Sequence, residues 1–163
     1  MKKRKSWQEK LLDREGLPKI LTLETNFPCY NAVHKMEAKA GEKVILANPS
    51  EVVRVMLSVP KGKLITTSEI CEKISQEHRV KASCSLTTGI FIMIAANATE
   101  EAAKEGKNLG IPYWRTLKTN GFLNEKYPGG QQGQKKLLEI EGFQVVQRGK
   151  KYSVQNYQDF LVR

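Results

Sequence analysis

The sequence has no apolar run close to the length of about 20 residues that a membrane-spanning helix needs. Its most apolar stretch, Ile90-Phe91-Ile92-Met93-Ile94-Ala95-Ala96, is far shorter and reads as a buried helix. No apolar core follows the basic Lys2-Lys3-Arg4-Lys5, so this N-terminus does not read as a secretory signal. Cysteine is sparse and odd in number: Cys29, Cys71 and Cys84 do not make a disulfide framework, and a reducing cytoplasm is the expected compartment. His34 and His78 have no ligand-like spacing with those cysteines, so neither a metal site nor a cofactor is expected. Acidic residues are in deficit, 17 against 27 Lys and Arg, which leaves a net charge of +10. Such a surplus suits a polyanion partner, most simply nucleic acid, although a surface charge that only confers solubility reads the same way. Charge of this kind sets non-specific affinity and salt dependence rather than sequence choice.

What is present is ordinary globular composition: 163 residues, 40% hydrophobic and 27% charged, enough for one compact domain with an appendage. Residues 1–47 read as an N-terminal basic extension. Trp7 to Arg14 suits a short helix with Trp7, Leu11 and Leu12 on one side, broken by Gly16-Leu17-Pro18. The run at residues 2–5 is either a solvated tail or an arm that touches phosphate. Gly41 to Ala47 reads as a strand.

Asn48-Pro49-Ser50-Glu51 is a helix start, with Asn48 as N-cap and Pro49 at the first helical position. Val52, Val53, Met56 and Leu57 share its apolar face. Pro60-Lys61-Gly62-Lys63 makes a turn. Thr66-Thr67-Ser68-Glu69 is a capping box, and the helix it opens buries Ile70, Cys71 and Ile74. After a polar link over 76–83, a third helix runs from about Leu86 towards Gly106. This order is that of a helix-turn-helix unit. Tyr113 to Leu117, the Thr119-Asn120-Gly121 turn and Phe122-Leu123 read as a hairpin. Gln132 to Glu141 reads as a helix with Leu137, Leu138 and Ile140 inside. Phe143 to Val154 reads as a second hairpin about Arg148-Gly149-Lys150, and Tyr157, Phe160 and Leu161 as a closing helical turn. The expected fold class is α+β, mostly α: a winged helix-turn-helix-like domain with small β-hairpins over 48–143, and a C-terminal hairpin and short helix over 144–163 packing on it.

Several landmarks over 48–143 resemble, in order, the C-terminal DNA-binding domain of the O6-alkylguanine-DNA alkyltransferases. Val59-Pro60-Lys61-Gly62-Lys63 and Thr66-Thr67-Ser68-Glu69-Ile70 resemble the family's first turn and second helix. Ala95-Ala96-Asn97 resembles the end of its recognition helix and the Asn hinge. Ile111-Pro112-Tyr113-Trp114-Arg115 matches the frame of its Pro-Cys-His-Arg motif, Tyr127-Pro128-Gly129-Gly130 its substrate loop, and Leu137-Leu138-Glu139-Ile140-Glu141-Gly142 its final helix. The order supports the fold more than the activity. The stretch between Asn97 and Pro112 is longer than the family's link, so the helix is expected to continue there.

The resemblance also locates what is missing. Tyr113 stands at the acceptor cysteine and Trp114 at its histidine; an indole nitrogen only donates and a phenol is a poor nucleophile at neutral pH. Alkyl transfer to residue 113 is therefore excluded. Thr88 stands where the family has an arginine that enters the base stack, and Thr67 where it has a tyrosine against the target phosphate. The resemblance is then to the alkyltransferase-like branch, which lacks the cysteine and binds damaged DNA. It implies a pocket among Pro112, Tyr113, Trp114, Arg115, Tyr127, Gly129, Gly130 and Glu141, with Arg115 bonding backbone carbonyls of the loop. The Tyr113-Trp114 pair either stacks on a flat base or packs inward. The implied partner is double-stranded DNA, met by Lys61, Lys63, Thr67, Ser68, Lys81, Thr87, Thr88 and Asn97, in repair or regulation and with no membrane. Two rivals stay open: a protein-interaction or homodimer module whose surface is the apolar third helix, which an exposed Ile92 or Ile94 would favour, and a different enzyme with Glu141 as base.

Overall fold

The computed structural model describes residues 2–14 and 16–162. Six α-helices and seven short strands alternate in it: α1 (Trp7–Leu12), β1 (Lys19–Thr22), α2 (Tyr30–His34), β2 (Lys43–Leu46), α3 (Pro49–Leu57), β3 (Ile65–Thr66), α4 (Thr67–Glu77), β4 (Ala82–Ser83), α5 (Ser85–Lys104), β5 (Thr116–Leu117), α6 (Gly130–Ile140), β6 (Val145–Arg148) and β7 (Lys151–Val154). Three 3-10 turns, Tyr113–Arg115, Thr119–Gly121 and Tyr157–Phe160, complete them. The class is α+β, mostly helical, with a winged helix-like arrangement of α3, α4 and α5 and the β6–β7 hairpin.

The helix starts follow local chemistry. The Asn48 side chain accepts from the Glu51 amide at 3.1 Å, and Glu51 accepts back from the Asn48 amide at 2.9 Å. Thr66 and Glu69 make the same reciprocal pair at the start of α4. Each such cap is worth about 1 kcal/mol. Above them, Val52, Val55 and Met56 of α3, Ile70 and Ile74 of α4, and Ile92, Ala95 and Ala96 of α5 interlock in one core with Ile111, Tyr113 and Tyr127. The apolar face of α3 stops short of Leu57, which is half-exposed.

Residues before Asn48 are tied into this body. β1 pairs antiparallel with β2, and β2 pairs parallel with β4, which lies between α4 and α5. Leu23, Cys29, Val33, Ala38 and Val44 pack with Ala82 and Cys84 in a second core beneath that sheet. α1 lies on α5, with Leu11 against the main core and Leu12 turned to solvent. A third core joins Leu64, Leu117, Leu123, Leu138, Phe143 and Val154, and binds the C-terminal hairpin to α6.

Two expectations are corrected. Tyr113 to Leu123 is not a hairpin. Thr116 and Leu117 pair in parallel with Ile65 and Thr66, while Phe122 bridges Ser153 and the Leu123 amide donates to the Tyr152 carbonyl. Both arms of the turn are thus taken by distant strands, and Asn120 sits at φ 76° between them. Ile140 is exposed rather than inside, because α6 buries the face of Gln134 and Leu138. The second hairpin forms as expected, in the register Val145 to Val154 and Arg148 to Lys151.

Gly133 in α6 is a close-approach position: a Cβ there would lie 2.7 Å from the Pro128 carbonyl oxygen, which is backbone and cannot step aside. Gly133→Ala is expected to cost about 1–3 kcal/mol, as overpacking does. Urea unfolding monitored by circular dichroism checks it.

Candidate functional site

The segment that carries the resemblance closes on itself. The Tyr113 ring is buried, edge-on to Trp114 (5.5 Å between centroids) and to Tyr127 (5.3 Å). Its hydroxyl donates to Glu100 of α5 at 2.8 Å. Burial, and then the Glu100 carboxylate, push the phenol above its usual range, so it stays protonated. A carboxylate therefore does stand beside Tyr113, but it holds the proton on the phenol. The Tyr127 hydroxyl, also buried, donates to the Thr116 carbonyl at 2.9 Å.

The residues expected to line one pocket, Pro112, Tyr113, Trp114, Arg115, Tyr127, Gly129, Gly130 and Glu141, do not all face one cleft: the Tyr113 ring is buried between Trp114 and Tyr127. Pro112, Trp114 and Arg115 instead line a shallow groove of about 320 Å³ on another side, with Leu57, Thr99 and Asn108. Gly129 and Gly130, at φ 75° and 65°, turn the chain into α6. Arg115 donates to both Glu141 oxygens, through Nε at 3.0 and 3.1 Å, and to the Val59 carbonyl at 2.8 Å. It does bond a backbone carbonyl, but one in the turn after α3 rather than in the glycine loop. With its side chain 6% exposed, Glu141 serves as this ion pair's acceptor and is not available as a base.

Gln134 was missed from sequence. Fully buried, it accepts from the Asn124 amide at 2.7 Å and donates to the Trp114 and Thr116 carbonyls at 3.1 and 3.3 Å. It ties the 118–126 loop to the backbone of residues 114–116.

That loop faces an open cleft of about 660 Å³. One wall is the outer stripe of α5: Ser85, Leu86, Gly89, Ile90 and Met93, at helical spacing. Leu86 and Ile90 are 52% and 53% exposed. The other wall is Lys118, Thr119, Asn124, Glu125 and Lys126, with Thr67 at the end. Ser68 and Thr119 share a hydrogen bond of 2.7 Å between hydroxyls, which fastens the start of α4 to the loop. Lys118 pairs with Glu125 at 3.0 Å.

The expected nucleic-acid residues divide accordingly. Thr67 lines the cleft, and Ser68 stands beside it through its bond to Thr119. Lys61, Lys63 and Lys81 are exposed but do not line it. Thr88 is a correction: it is fully buried, its hydroxyl against the Cys71 thiol of α4, because the α5 stripe facing out begins at Leu86 and steps to Ile90. Thr87 is half-buried and donates to the Cys84 sulfur at 3.5 Å. Asn97 does not end the helix; α5 continues to Lys104, as its extra length implied, and Asn97 bonds back to the Met93 carbonyl at 2.9 Å. Ile92 and Ile94 are core residues, 1% and 8% exposed, so the dimer surface expected on them is absent. The residues sequence reasoning missed, Leu86, Ile90 and Met93, sit in a helix apolar on nearly every side, which leaves no periodic signal for its outer face.

No protein-family model matches the chain, and no curated protein matches it. Among solved structures it is similar to S. pombe Atl1, an alkyltransferase-like protein in complex with damaged DNA containing O6-carboxymethylguanine. The TM-score is 0.51 at 18% identity, over 71% of this chain and 94% of that one. The chain shares the fold of Atl1. S. pombe ATL in complex with DNA is similar at TM-score 0.49 and 19% identity, with the same coverage. The Atl1 likeness and the order of motifs along 48–143 thus point to one fold.

All three thiols are buried, and burial raises those of Cys29 and Cys71 to about 11. They are expected to resist a disulfide reagent at pH 8 in the native protein and to react on unfolding, as a colorimetric thiol titration reads. Arg115→Ala strands a buried carboxylate and is expected to cost about 3–5 kcal/mol in denaturant unfolding.

Proposed function

We propose that the protein is a non-catalytic alkyltransferase-like nucleic-acid-binding protein that holds duplex DNA against the α4–α5 face, in repair or its regulation. The observation that carries this reading is the cleft between α5 and the 118–126 loop, on a fold shared with a protein solved on damaged DNA. The cleft is roomy enough for a base, and its floor is apolar. Leu86 and Ile90 stand a turn apart, well exposed, where an apolar wedge would enter a base stack. Such a wedge offsets part of the few kcal/mol that extruding a base costs. Thr67, Ser68 and the 118–126 loop then border the displaced nucleotide's backbone.

Three features support binding without alkyl transfer. Residue 113 is a protonated, buried phenol held by Glu100. Every thiol lies in the core rather than at the cleft. Glu141 is committed to Arg115. The basic surplus adds the general attraction for a phosphate backbone. A protein-interaction module built on Ile92 or Ile94 is less favoured, because both are internal.

Fluorescence anisotropy with a labelled duplex, with and without one O6-alkylated guanine, tests the proposal. Binding is expected to weaken steeply between about 50 and 200 mM salt. Ile90→Glu, at an exposed position, should weaken it about tenfold or more while leaving the thermal melt unchanged. Binding to neither duplex at any salt, or an Ile90→Glu variant as tight as the parent, would sink the assignment.

A further inference from the structure

The outer stripe of α5 that faces the cleft carries no cation. From Ser85 to Ala103 the chain contains neither Lys nor Arg. Of the two lysines on the opposite wall, Lys118 is already paired with Glu125. A helix presented to a duplex by Leu86, Gly89, Ile90 and Met93 has shape to offer but little to neutralise phosphate, which supplies most non-specific affinity. The missing charge has to come from beside the helix.

The N-terminal segment lies there. α1 is held on α5 mainly by Glu101, which accepts from the Trp7 and Gln8 amides, both at 3.1 Å, and from the Gln8 side-chain amide at 3.0 Å; Glu105, just past α5, accepts from the same side-chain amide at 3.2 Å. The Gln8 amide, first of these donors, holds the Glu101 carboxyl below its usual range. Ser6 and Glu9 complete the cap, so the first three amides of α1 are all satisfied. Lys5 and Lys10 share a groove of about 330 Å³ with Ile90, Phe91 and Ile94. Ile90 thus forms part of both the cleft and the groove, and the arm starts one side chain from the proposed DNA face. Lys5 pairs with Asp13 and Lys10 lies 4.2 Å over the Trp7 ring, so both hold the segment in place. Beyond them Lys2, Lys3 and Arg4 are exposed. Extended, three residues reach about 10 Å further.

We propose that residues 2–4 form a second nucleic-acid contact, a basic arm moored by the α1–Glu101 cap that binds duplex phosphates beside α5. The inference rests on the proposed DNA-binding face and adds the element that supplies its charge. Lys61 and Lys63, in the turn after α3, do not line the cleft, so the arm's contribution is separable from theirs.

The test is the salt dependence of duplex binding by the full chain. The K2Q/K3Q/R4Q variant alters only exposed positions outside regular structure. It should bind about tenfold or more weakly at low salt, with a log–log salt slope shallower by about 2–3, near 0.9 per lost contact. A charge-preserving K2R/K3R/R4K variant should restore the parent slope. An unchanged slope in the neutral variant overturns the arm and leaves the α4–α5 face standing. A duplex that the parent protein does not bind at all overturns both.

Discussion

Three distant stretches of chain meet at the Arg115–Glu141 pair. Arg115 closes the 3-10 turn that starts at Tyr113, Glu141 caps the end of α6, and Val59 lies just past α3. A guanidinium suits this place because its planar fork serves a carboxylate and a carbonyl at once, which an ammonium does not do with fixed geometry. Both charges are largely withdrawn from water, so neither tolerates the loss of its partner. The pair fixes where β5 begins. That in turn favours its parallel match to β3.

Within that frame, the site's interior has been refilled in a mutually consistent way. The Tyr113 ring packs between Trp114 and Tyr127, and its hydroxyl needs an acceptor once buried. Glu100 supplies one only because α5 continues past Asn97 instead of ending there. The same helix turns Thr88 inward and Leu86 and Ile90 outward. A long helix, an inward phenol and an apolar outer stripe therefore go together.

Much of this was legible in sequence where the cause is local. Asn48 with Glu51 and Thr66 with Glu69 announce their helices within four residues, and the structure draws both boxes. The order of motifs located Arg115 and Glu141 as a frame, though not as partners of each other and of Val59. What failed was decided at long range. Thr119-Asn120-Gly121 has hairpin chemistry, yet β3 and β7 claimed the flanking residues first. The acceptor for Tyr113 lies across a bend of the chain, and Gln134 reads as an ordinary polar residue until its three backbone partners are in view. The outward face of α5 could not be read, since nearly all its faces are apolar.

The Glu101 cap has a consequence for how the N-terminal segment is inherited. α1 has six residues, too few to persist as a helix in water by itself. Its order is borrowed from a carboxylate more than ninety positions away in sequence. Fused to another protein, the same residues would be a loose charged string. The segment is thus no portable tag: α1 and the back of α5 make sense only as a pair, to be gained or lost together.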